Sequence, residues 1–596
     1  DALRLAPGVE VAQIDSGKWS IGIRGFGSRL SRSVLVLIDG RTVYTTLLAG
    51  TYWEVQDTLL ADIDRIEVIR GPGGTIWGPN AVNGVINIIT KSADETHGTR
   101  VNVGGGTVNQ GFAAFRYGAG TKSGFNYRLY GKAFSRGPMY HSDGRNFDDW
   151  RSVQGGFRSD WKHGEKNLFT VQGDIYKQTN GESVVATSYT PPYSSVIDAN
   201  AHLSGGNILG RWTRNIGEGD DVQVQAYYDR TNRHEPNFGD LRDTFDFDFI
   251  EHARIPRNDF TWGFGVRFSR GTNLQVVSGL TFSPAKRTDR LITGFLQDEL
   301  AIVPQRLSLT IGTKLLHTNF TDFEPEPSAR LLWTPNDRMS FWTAFTQAVR
   351  TPSDAEHDFF LSGFIGIAPD GTPFFARFNA NRNFLPEHMN GYELGYRQLM
   401  GKKLYVDIAS FYNHYRNLFS EDITGPIFLE TTPPPTHLLL PAEFGNGLMG
   451  QTKGIEISPE WRPTNFLRLR GSYSYLHMSL EKSPNSMDIG SAPGVEGSSP
   501  QHQVSAFASF DLPEASSFDL DYWYVSSLPG QKVEAYSSAD VRFAKRFKHG
   551  LEFAVAGRNL LQPHHAEFGT DPGIPPTEIT LVGLRRSAYV ELTWVH

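Results

Sequence analysis

Stretches in which apolar and polar residues alternate over strand length constrain the fold of this chain more than any other feature. In FTVQGDI (169–175), apolar residues or glycine hold the odd positions and polar residues the even ones. The same period recurs in VQVQAYYDR (222–230) and LRLRGSYSY (467–475). Successive side chains of a strand point to opposite faces, so each stretch predicts one apolar and one polar face. Such strands are typical of a membrane-spanning β-barrel, which meets lipid outside and water inside.

The connections between these stretches also alternate in length. The short turn TPND (334–337) contrasts with long irregular segments at 353–388 and 425–451. Short turns at one rim and long loops at the other are typical of outer-membrane barrels. If roughly 500 residues are shared among ~22 strands, each strand with its connection takes about 23 residues, which suits the large barrels whose lumen is plugged.

A β-propeller or a large sandwich is the alternative for alternating strands. Strands of globular proteins have about 5–6 residues, and propellers repeat every ~40–50 residues. No repeat of that period is visible in the 596 residues. The sequence therefore predicts a membrane all-β fold, an antiparallel transmembrane barrel of about 22 strands.

The composition excludes several classes of protein and site. No run of about 18 apolar residues occurs, so no membrane-spanning helix is expected. The absence of cysteine excludes disulfides, thiolate metal sites and cysteine nucleophiles. A net charge of -7 without a dense block of lysine and arginine does not indicate nucleic acid as a partner. The opening DALRLAPGVEV has no basic and no apolar signal region, so no signal peptide is expected within this sequence.

The first 95 residues have a different pattern from the rest. Short apolar runs, such as VLVLI (34–38) and VINII (85–89), are separated by tight turns that contain glycine or aspartate and glycine. Such runs predict a compact small domain with a buried mixed sheet. We therefore divide the chain into a mixed α/β domain at 1–95 and the barrel at 96–596.

The glycine-rich segment RGPGGTIWGPNAVNGVINIIT (70–90) raises the question of nucleotide binding. A P-loop requires a lysine and a hydroxyl residue after its glycines, and neither follows here. A dinucleotide-binding fold requires a helix after the glycine loop, whereas this loop continues into an apolar strand. The glycines are instead expected to allow tight turns and close approach of the backbone.

Four segments of the small domain resemble the plug domain of TonB-dependent outer-membrane receptors, in the family's order. They are LRLAPGVEV (3–11), IGIRGFGSR (21–29), VLVLIDGRTVY (34–44) and IDRIEVIRGPGGTIWGPNAVNGVINIITK (63–91). Weaker resemblances to the family's barrel continue to the end of the chain. They are EPEPSARLLWTPNDRMSFWTAFTQAVRTPS (324–353), NGYELGYR (390–397), TKGIEISPEW (452–461), SPQHQVSAFASFDLP (499–513), AGRNLLQ (556–562) and RRSAYVELTWVH (585–596).

The resemblance implies a 22-stranded barrel with long extracellular loops and a plug domain inside its lumen. It also implies a monomer in the outer membrane of a Gram-negative bacterium, in contact with outer-membrane lipids and lipopolysaccharide.

Two features depart from the family pattern. The chain starts at Asp1 inside the plug, so the start of the plug and the TonB box are expected to be missing, and it ends at His596, where the family usually has an aromatic residue.

The resemblance also implies active transport rather than enzymatic activity. Receptors of this family bind a scarce, bulky solute outside with high affinity and release it inside when the TonB-ExbB-ExbD complex acts on the plug. A ferric siderophore is the first expectation, so the ligand would be an iron chelate, and no resident cofactor is expected. Cobalamin, haem, another metal chelate or an oligosaccharide are the alternative ligands. A surface receptor or signal transducer with transport secondary is the alternative function, and a passive porin is disfavoured because a complete plug would block the lumen.

In this family, the loops after IRGFG and LIDGR form the outward apices of the plug, which implies a ligand site there. The residues that this singles out are Ser28, Arg29, Arg32, Leu48, Tyr52 and Trp53. The arginines could hold anionic oxygens, and the aromatic residues offer ring faces and polar tips. The alternatives are that the arginines are only solvated and that Trp53 packs the plug against the barrel.

The resemblance further implies an ion-pair anchor between plug and barrel. Arg24 and Arg70, each in an IRG motif, are expected to pair with barrel carboxylates, and Glu393 in YELG is the matching candidate. A guanidinium–carboxylate pair is bidentate and directional, so it holds one register until it is broken. The alternative is that both arginines bind backbone carbonyls of tight plug turns. The glycines expected to shape the plug are Gly25, Gly40, Gly71, Gly78 and Gly84.

No catalytic and no metal site is expected. His564 and His565 are adjacent, and neighbours on a strand point to opposite faces, so they do not suit one ion. In DTFDFDF (243–249), the alternation places Asp246 and Asp248 on one face and the phenylalanines on the other, which predicts a strand rather than a calcium loop. No combination of serine, histidine and carboxylate indicates a hydrolase.

Overall fold

The computed structural model describes residues 2–277, 279–488, 490–569 and 582–596. These residues form an N-terminal domain, which we call the plug, and a closed antiparallel β-barrel around it. Plug side chains contact inward-facing barrel side chains, for example Asp62 with Arg116 and Asn83 with Tyr415. The plugged barrel that the sequence predicts is confirmed.

Short strands and helical turns build the plug. They are β1 (Val9–Gln13), β2 (Trp19–Ile23), β3 (Val34–Ile38), β4 (Arg41–Thr42), β5 (Tyr44–Thr45), β6 (Gly50–Thr51), β7 (Ile63–Arg70), α1 (Gly74–Trp77), β8 (Gly84–Thr90) and the 3₁₀-helices Ala2–Leu5, Trp53–Val55, Leu60–Asp62 and Ala93–Thr96. The central sheet has the order β4-β3-β8-β7, and β3 pairs with β8 in parallel, so the predicted mixed sheet is confirmed. Both central strands are buried almost throughout, which explains their continuous apolar sequences.

The barrel strands and their connecting elements follow from Gly98 onward. The strands are β9 (Gly98–Gly106), β10 (Asn109–Gly120), β11 (Phe125–Arg136), β12 (Tyr140–His141), β13 (Trp150–His163), β14 (Asn167–Thr187), β15 (Ser194–Gly217), β16 (Asp220–His234), β17 (Phe238–Ile255), β18 (Asn258–Gln275), β19 (Leu280–Phe282), β20 (Lys286–Val303), β21 (Leu307–Thr318), β22 (Glu324–Asn336), β23 (Met339–Arg350), β24 (Phe359–Ile367), β25 (Pro373–Asn379), β26 (Glu387–Met400), β27 (Leu404–Ile423), β28 (Phe428–Glu430), β29 (His437–Thr464), β30 (Leu467–Lys482), β31 (His502–Leu512), β32 (Ser516–Val525), β33 (Tyr536–Arg546), β34 (Leu551–Arg558), β35 (His564–His565), β36 (Val582–Arg585) and β37 (Ser587–Val595). The helices are α2 (Asp354–Asp358), α3 (Ser491–Glu496) and the 3₁₀-helices Pro529–Gln531 and Lys548–Gly550.

Twenty-two of these strands form one antiparallel ring in the described part of the chain. The ring closes where β37 pairs with β9. The strands that lie outside the ring, in its connections, are β12, β19, β24, β25, β28, β35 and β36. The predicted number and direction of the barrel strands are therefore confirmed.

The connections differ in length between the two ends of the barrel. At one end, which we call the turn rim, short turns such as 337–338 join neighbouring strands. At the other end, which we call the loop rim, the connection 351–386 carries α2, β24 and β25. The plug joins the barrel at the turn rim, where Thr99 and His596 exchange backbone hydrogen bonds. The predicted asymmetry of the connections is confirmed.

Alternating burial along the strands separates a lipid face from a lumen face. In β14, Phe169, Val171 and Ile175 are exposed on the outside, whereas Thr170 is buried. In β17, Asp246 is buried and binds Arg267 at 2.7 Å. The barrel thus has an apolar outer surface and a polar lumen, as the alternation predicts. No helix within the described ranges is long and apolar enough to cross a membrane.

Candidate ligand-binding site

A cavity of about 320 Å³ lies between the top of the plug and the loop rim of the barrel. Four of the predicted ligand residues line it, namely Ser28, Arg29, Arg32 and Leu48. The barrel side is formed by strand ends and by connections of the loop rim, including α2 and α3. A molecule bound in this cavity therefore contacts the plug and the barrel at once.

The plug segment 24–33 reaches the cavity through tight turns. Arg24, Phe26 and Ser31 have positive φ values of 53°, 58° and 49°. The Ser31 N–H donates to the Ser28 hydroxyl at 3.0 Å, and the Ser31 hydroxyl donates to the Ser28 carbonyl at 2.9 Å. Residues other than glycine keep positive φ values only where the surrounding structure holds them. The hydrogen bonds between Ser28 and Ser31 therefore help to fix the backbone shape of the plug apex.

Aromatic residues form much of the barrel side of the cavity. They are Phe282 in β19, Phe359 in β24, Phe419 in β27 and Phe444 in β29. The Phe444 ring lies with its centroid 6.1 Å from that of Phe359 and 5.3 Å from that of Phe419. None of these residues was predicted from the sequence, because the segments that carry them meet only in the folded barrel. An apolar wall of this kind suits a bulky organic ligand.

The predicted arginines of the cavity lie beside carboxylates. Arg32 Nη1 is 3.5 Å from Glu356 Oε1, and Arg29 Nη2 is 3.7 Å from Glu235 Oε1. The buried Arg350 is 2.8 Å from Glu356. Burial alone would raise the pKa of Glu356, but the charges of Arg350 and Arg32 hold it below its ordinary value. No group of three or more histidine and carboxylate side chains in the described ranges is arranged to hold a metal ion.

The other two predicted ligand residues, Tyr52 and Trp53, do not line the cavity. Tyr52 is 6% exposed and packs against Ala201 and Leu203 of the barrel. The Arg233 guanidinium lies 3.5 Å from the centre of the Tyr52 ring. Trp53 packs against the apolar core of the plug. Because neither ring lines the cavity, the structure gives no support to their predicted contact with the ligand, which stays a prediction.

Arg24 lies at the centre of an ion-pair cluster between plug and barrel. Its Nε and Nη2 each donate to one carboxylate oxygen of Glu456 at 3.0 Å, and Nη2 also donates to Glu393 at 2.7 Å. The Phe411 ring centre lies 4.1 Å from the guanidinium. Burial alone would lower the pKa of Arg24, but the charges of Glu456 and Glu393 raise it above its ordinary value, so the side chain stays charged.

Arg70 extends the same cluster. Its Nη1 donates to Glu456 at 2.9 Å, and its Nη2 lies 3.6 Å from Asp407. Among the ion pairs of the described residues, none joins Arg70 to Glu393. Glu393, the predicted partner of both arginines, thus pairs with Arg24 and not with Arg70. Glu456, which was not among the predicted site residues, is the carboxylate that both plug arginines share. The role of this cluster as an anchor stays a prediction.

The predicted plug glycines fall into two groups. Positive φ values between 83° and 97° occur at Gly25, Gly40, Gly71 and Gly78. Gly71 also lies against the cluster, because a Cβ there would be 2.7 Å from Arg24 Nη1. Gly84 lies in β8, where a Cβ would be 2.6 Å from the Ile69 carbonyl oxygen of β7. The first group shapes turns, and Gly84 allows two strands to approach closely.

Comparisons with known proteins agree over both parts of the chain. The family model of the TonB-dependent Receptor Plug Domain matches residues 1–85, and that of the TonB dependent receptor-like beta-barrel matches residues 96–560. An iron-regulated outer membrane virulence protein of Vibrio cholerae is 24% identical over 507 residues, which are 81% of this chain and 73% of that protein. The vitamin B12 transporter BtuB of Vibrio vulnificus is 37% identical over 118 residues, which are 19% of this chain and 18% of the transporter.

Solved structures share the whole fold. The siderophore receptor PirA of Acinetobacter baumannii has a TM-score of 0.79 at 16% identity, and a mutant of the ferric enterobactin receptor PfeA of Pseudomonas aeruginosa has a TM-score of 0.77 at 15% identity. Each alignment covers 100% of this chain and 95% of the other. Since the barrel model alone matches well over half of the residues, the chain belongs to the TonB-dependent receptor family of plugged outer-membrane barrels, which are receptors and transporters and not enzymes.

Proposed function

We propose that this protein is an active transporter that carries a ferric siderophore across the outer membrane in a TonB-dependent step. The observation that carries the proposal is the cavity shared by the plug and the loop rim, because a ligand bound there contacts the domain that must move. The aromatic wall of the cavity suits a bulky organic chelate. Two of the similar proteins, an iron-regulated outer membrane protein and a siderophore receptor, support iron as the cargo.

The plug has to rearrange before any bulky solute can pass, because it occupies the lumen. Many of its contacts with the barrel are polar: Arg41 binds Asp229 at 2.5 Å, and Asp62 binds Arg116 at 2.8 Å. Water can replace the partners of such groups when the plug moves, so their separation leaves no buried group unsatisfied. A polar interface of this kind combines a closed resting state with reversible movement.

The cluster around Arg24 is the contact that we expect to set the force needed for release. Its bidentate pair with Glu456 has one geometry and almost no access to solvent, since both side chains are 1% exposed. The barrel has no energy source of its own, so the work comes from TonB with ExbB and ExbD. We place the loop rim outside and the turn rim in the periplasm, with a single barrel surrounded by outer-membrane lipids and lipopolysaccharide.

Cobalamin is a second candidate for the cargo. The local match to the vitamin B12 transporter is the observation that favours it. The match covers 19% of this chain, so it carries less weight than the relative that covers 81%.

Ligand titration of the purified protein tests the proposed cargo. Tryptophan fluorescence is followed while ferric siderophores of several chemical types, cobalamin, haem and oligosaccharides are added separately. We expect saturable quenching by a ferric chelate at sub-micromolar concentration. Binding of cobalamin alone would replace the first candidate by the second, and a failure of every metal complex to bind would contradict metal transport.

A further inference from the structure

Glu421 is a buried carboxylate of the cavity wall that lacks a hydrogen-bond donor. The residue is 1% exposed and lines the cavity. Neither of its carboxylate oxygens has a hydrogen-bond partner among the described residues, although its backbone N–H donates to Asp488 at 3.1 Å. Buried polar groups normally have partners, because desolvation without a hydrogen bond is costly. A ligand that enters the cavity and displaces the side chains covering these oxygens could supply the missing donor.

Aromatic rings flank this carboxylate. Phe444 of β29 lies opposite Glu421 in the strand register, and Phe419, two residues before Glu421 in β27, also lines the cavity. The Arg32 guanidinium already lies 4.2 Å from the centre of the Phe419 ring. Ring faces and carboxylates both attract cations, so this part of the wall suits a positively charged group.

The arginines of the cavity are in ion-pair contact with other carboxylates, although the charge of Arg32 also acts on Glu421. Arg29 and Arg32 lie beside Glu235 and Glu356, as described above. The remaining cavity carboxylate, Glu387, lies 2.7 Å from the buried Arg350. In the described part of the chain, Glu421 is thus the cavity carboxylate without an arginine in ion-pair contact. An anionic ligand would have to displace these carboxylates from the arginines in a poorly solvated site.

We infer that the cavity selects a neutral or cationic ferric chelate that carries an ammonium group, and that Glu421 binds this group. The inference rests on the proposed transport of a ferric siderophore and names its chemical class. A ferric trihydroxamate fits, because three singly charged hydroxamates neutralise the ferric ion and a terminal amine then adds a positive charge. A ferric triscatecholate does not fit, because it keeps a triple negative charge.

Three iron complexes and two variants test the inference. The complexes are a linear ferric trihydroxamate with a terminal amine, the same compound with that amine acetylated, and a ferric triscatecholate. Their affinities are measured by fluorescence quenching with the unchanged protein and with the variants Glu421→Gln and Glu443→Gln. Glu443→Gln is the control, because Glu443 lies in neighbouring β29 and does not line the cavity. Circular dichroism and thermal unfolding verify that both variants fold.

We expect the amine compound to bind about tenfold more tightly than its acetylated form, the difference expected of one buried charge-assisted hydrogen bond. Glu421→Gln removes this preference, and Glu443→Gln keeps it. Equal affinity of the two trihydroxamates for the unchanged protein, tighter binding of the triscatecholate, or a preference that survives Glu421→Gln would overturn the inference and leave the proposed function intact. If none of the three complexes binds, the proposed function fails and the inference fails with it.

Discussion

The ion-pair cluster around Arg24 and the cavity around Arg32 use the same chemistry in different surroundings. In each, a plug arginine faces a glutamate of the barrel. The Arg24 side chain is 1% exposed and pairs with Glu456 at 3.0 Å, whereas the Arg32 side chain is 35% exposed and lies 3.5 Å from Glu356. The first pair is closed to water and bidentate, and the second is open to the cavity. The difference indicates that the first joins plug to barrel and the second can exchange partners with a ligand.

Removal of the shared carboxylate of the cluster should have the largest effect. Glu456→Gln leaves Arg24 and Arg70 without their common partner, and a broken buried ion pair costs about 3–5 kcal/mol. We expect the plug strands β7 and β8 to lose protection from amide hydrogen exchange, measured by mass spectrometry on the purified protein.

The matched control for this prediction lies four residues further along β29. Glu460 is 28% exposed and pairs with arginines near the turn rim. We expect Glu460→Gln to cost less than about 1 kcal/mol, as is usual for solvent-exposed pairs. Equal loss of plug protection in the two variants would show that the cluster does not anchor the plug.

Two buried carboxyl groups at the plug, Glu10 and Glu567, have pKa values shifted in opposite directions. Glu567 pairs with an arginine, and the charge of an arginine does not contribute to the shift of Glu10. Burial raises the pKa of Glu10 to about 8, with a further contribution from the charge of Glu567. Burial alone would also raise the pKa of Glu567, but the charge of Arg4 and hydrogen bonds lower it to about 2. The Arg4 guanidinium lies 2.7 Å from Glu567.

These shifts predict a stability maximum at mildly acidic pH. The folded state holds the Glu10 proton more tightly than the unfolded chain, so this contribution is lost as the pH rises from about 4.5 toward 8. The contribution of Glu567 is lost as the pH falls from about 4.5 toward 2. Urea unfolding at pH 5 and pH 8 should show a decrease of roughly 3 kcal/mol that Glu10→Gln removes. A decrease of the same size in the variant would assign the pH dependence to other groups.

The aromatic residues of the cavity and of the plug edge should differ in their effect on ligand binding. Phe419→Ala removes a ring from the cavity wall and should weaken binding of the transported ligand by about 1.5–3 kcal/mol. Tyr52→Phe keeps the buried ring and removes a hydroxyl without a hydrogen-bond partner in the described chain, so affinity should be unchanged. The fluorescence titration measures both affinities, and a larger loss in Tyr52→Phe than in Phe419→Ala would support the predicted contact between Tyr52 and the ligand.

The sequence predicts the architecture well because alternation and turn length report directly on strand faces and rims. It also predicts the plug side of the cavity, since Ser28, Arg29 and Arg32 lie in one short segment after a recognisable motif. The alternating pattern also points to Glu456. This residue lies between Ile455 and Ile457, so its polar side chain is expected to point into the lumen while the two isoleucines face the lipid.

The barrel side of the cavity could not be predicted in this way. Phe282, Phe359 and Phe444 belong to distant connections and strand ends whose proximity results from tertiary packing. The surroundings of Tyr52 and Trp53 could not be predicted for a related reason. Their amphipathic rings suit either a ligand surface or a packed interface, and only the folded plug shows that both are used for packing.

Uptake of an iron-loaded chelate by cells is the most direct test of TonB-dependent transport. Cells that lack other siderophore receptors and express this receptor from its complete gene are compared with and without TonB, and surface-bound and internal radioactive iron are counted separately. We expect equal surface binding in both strains and internal accumulation only where TonB is present. Equal accumulation without TonB, or surface binding that never leads to accumulation, would contradict TonB-dependent transport.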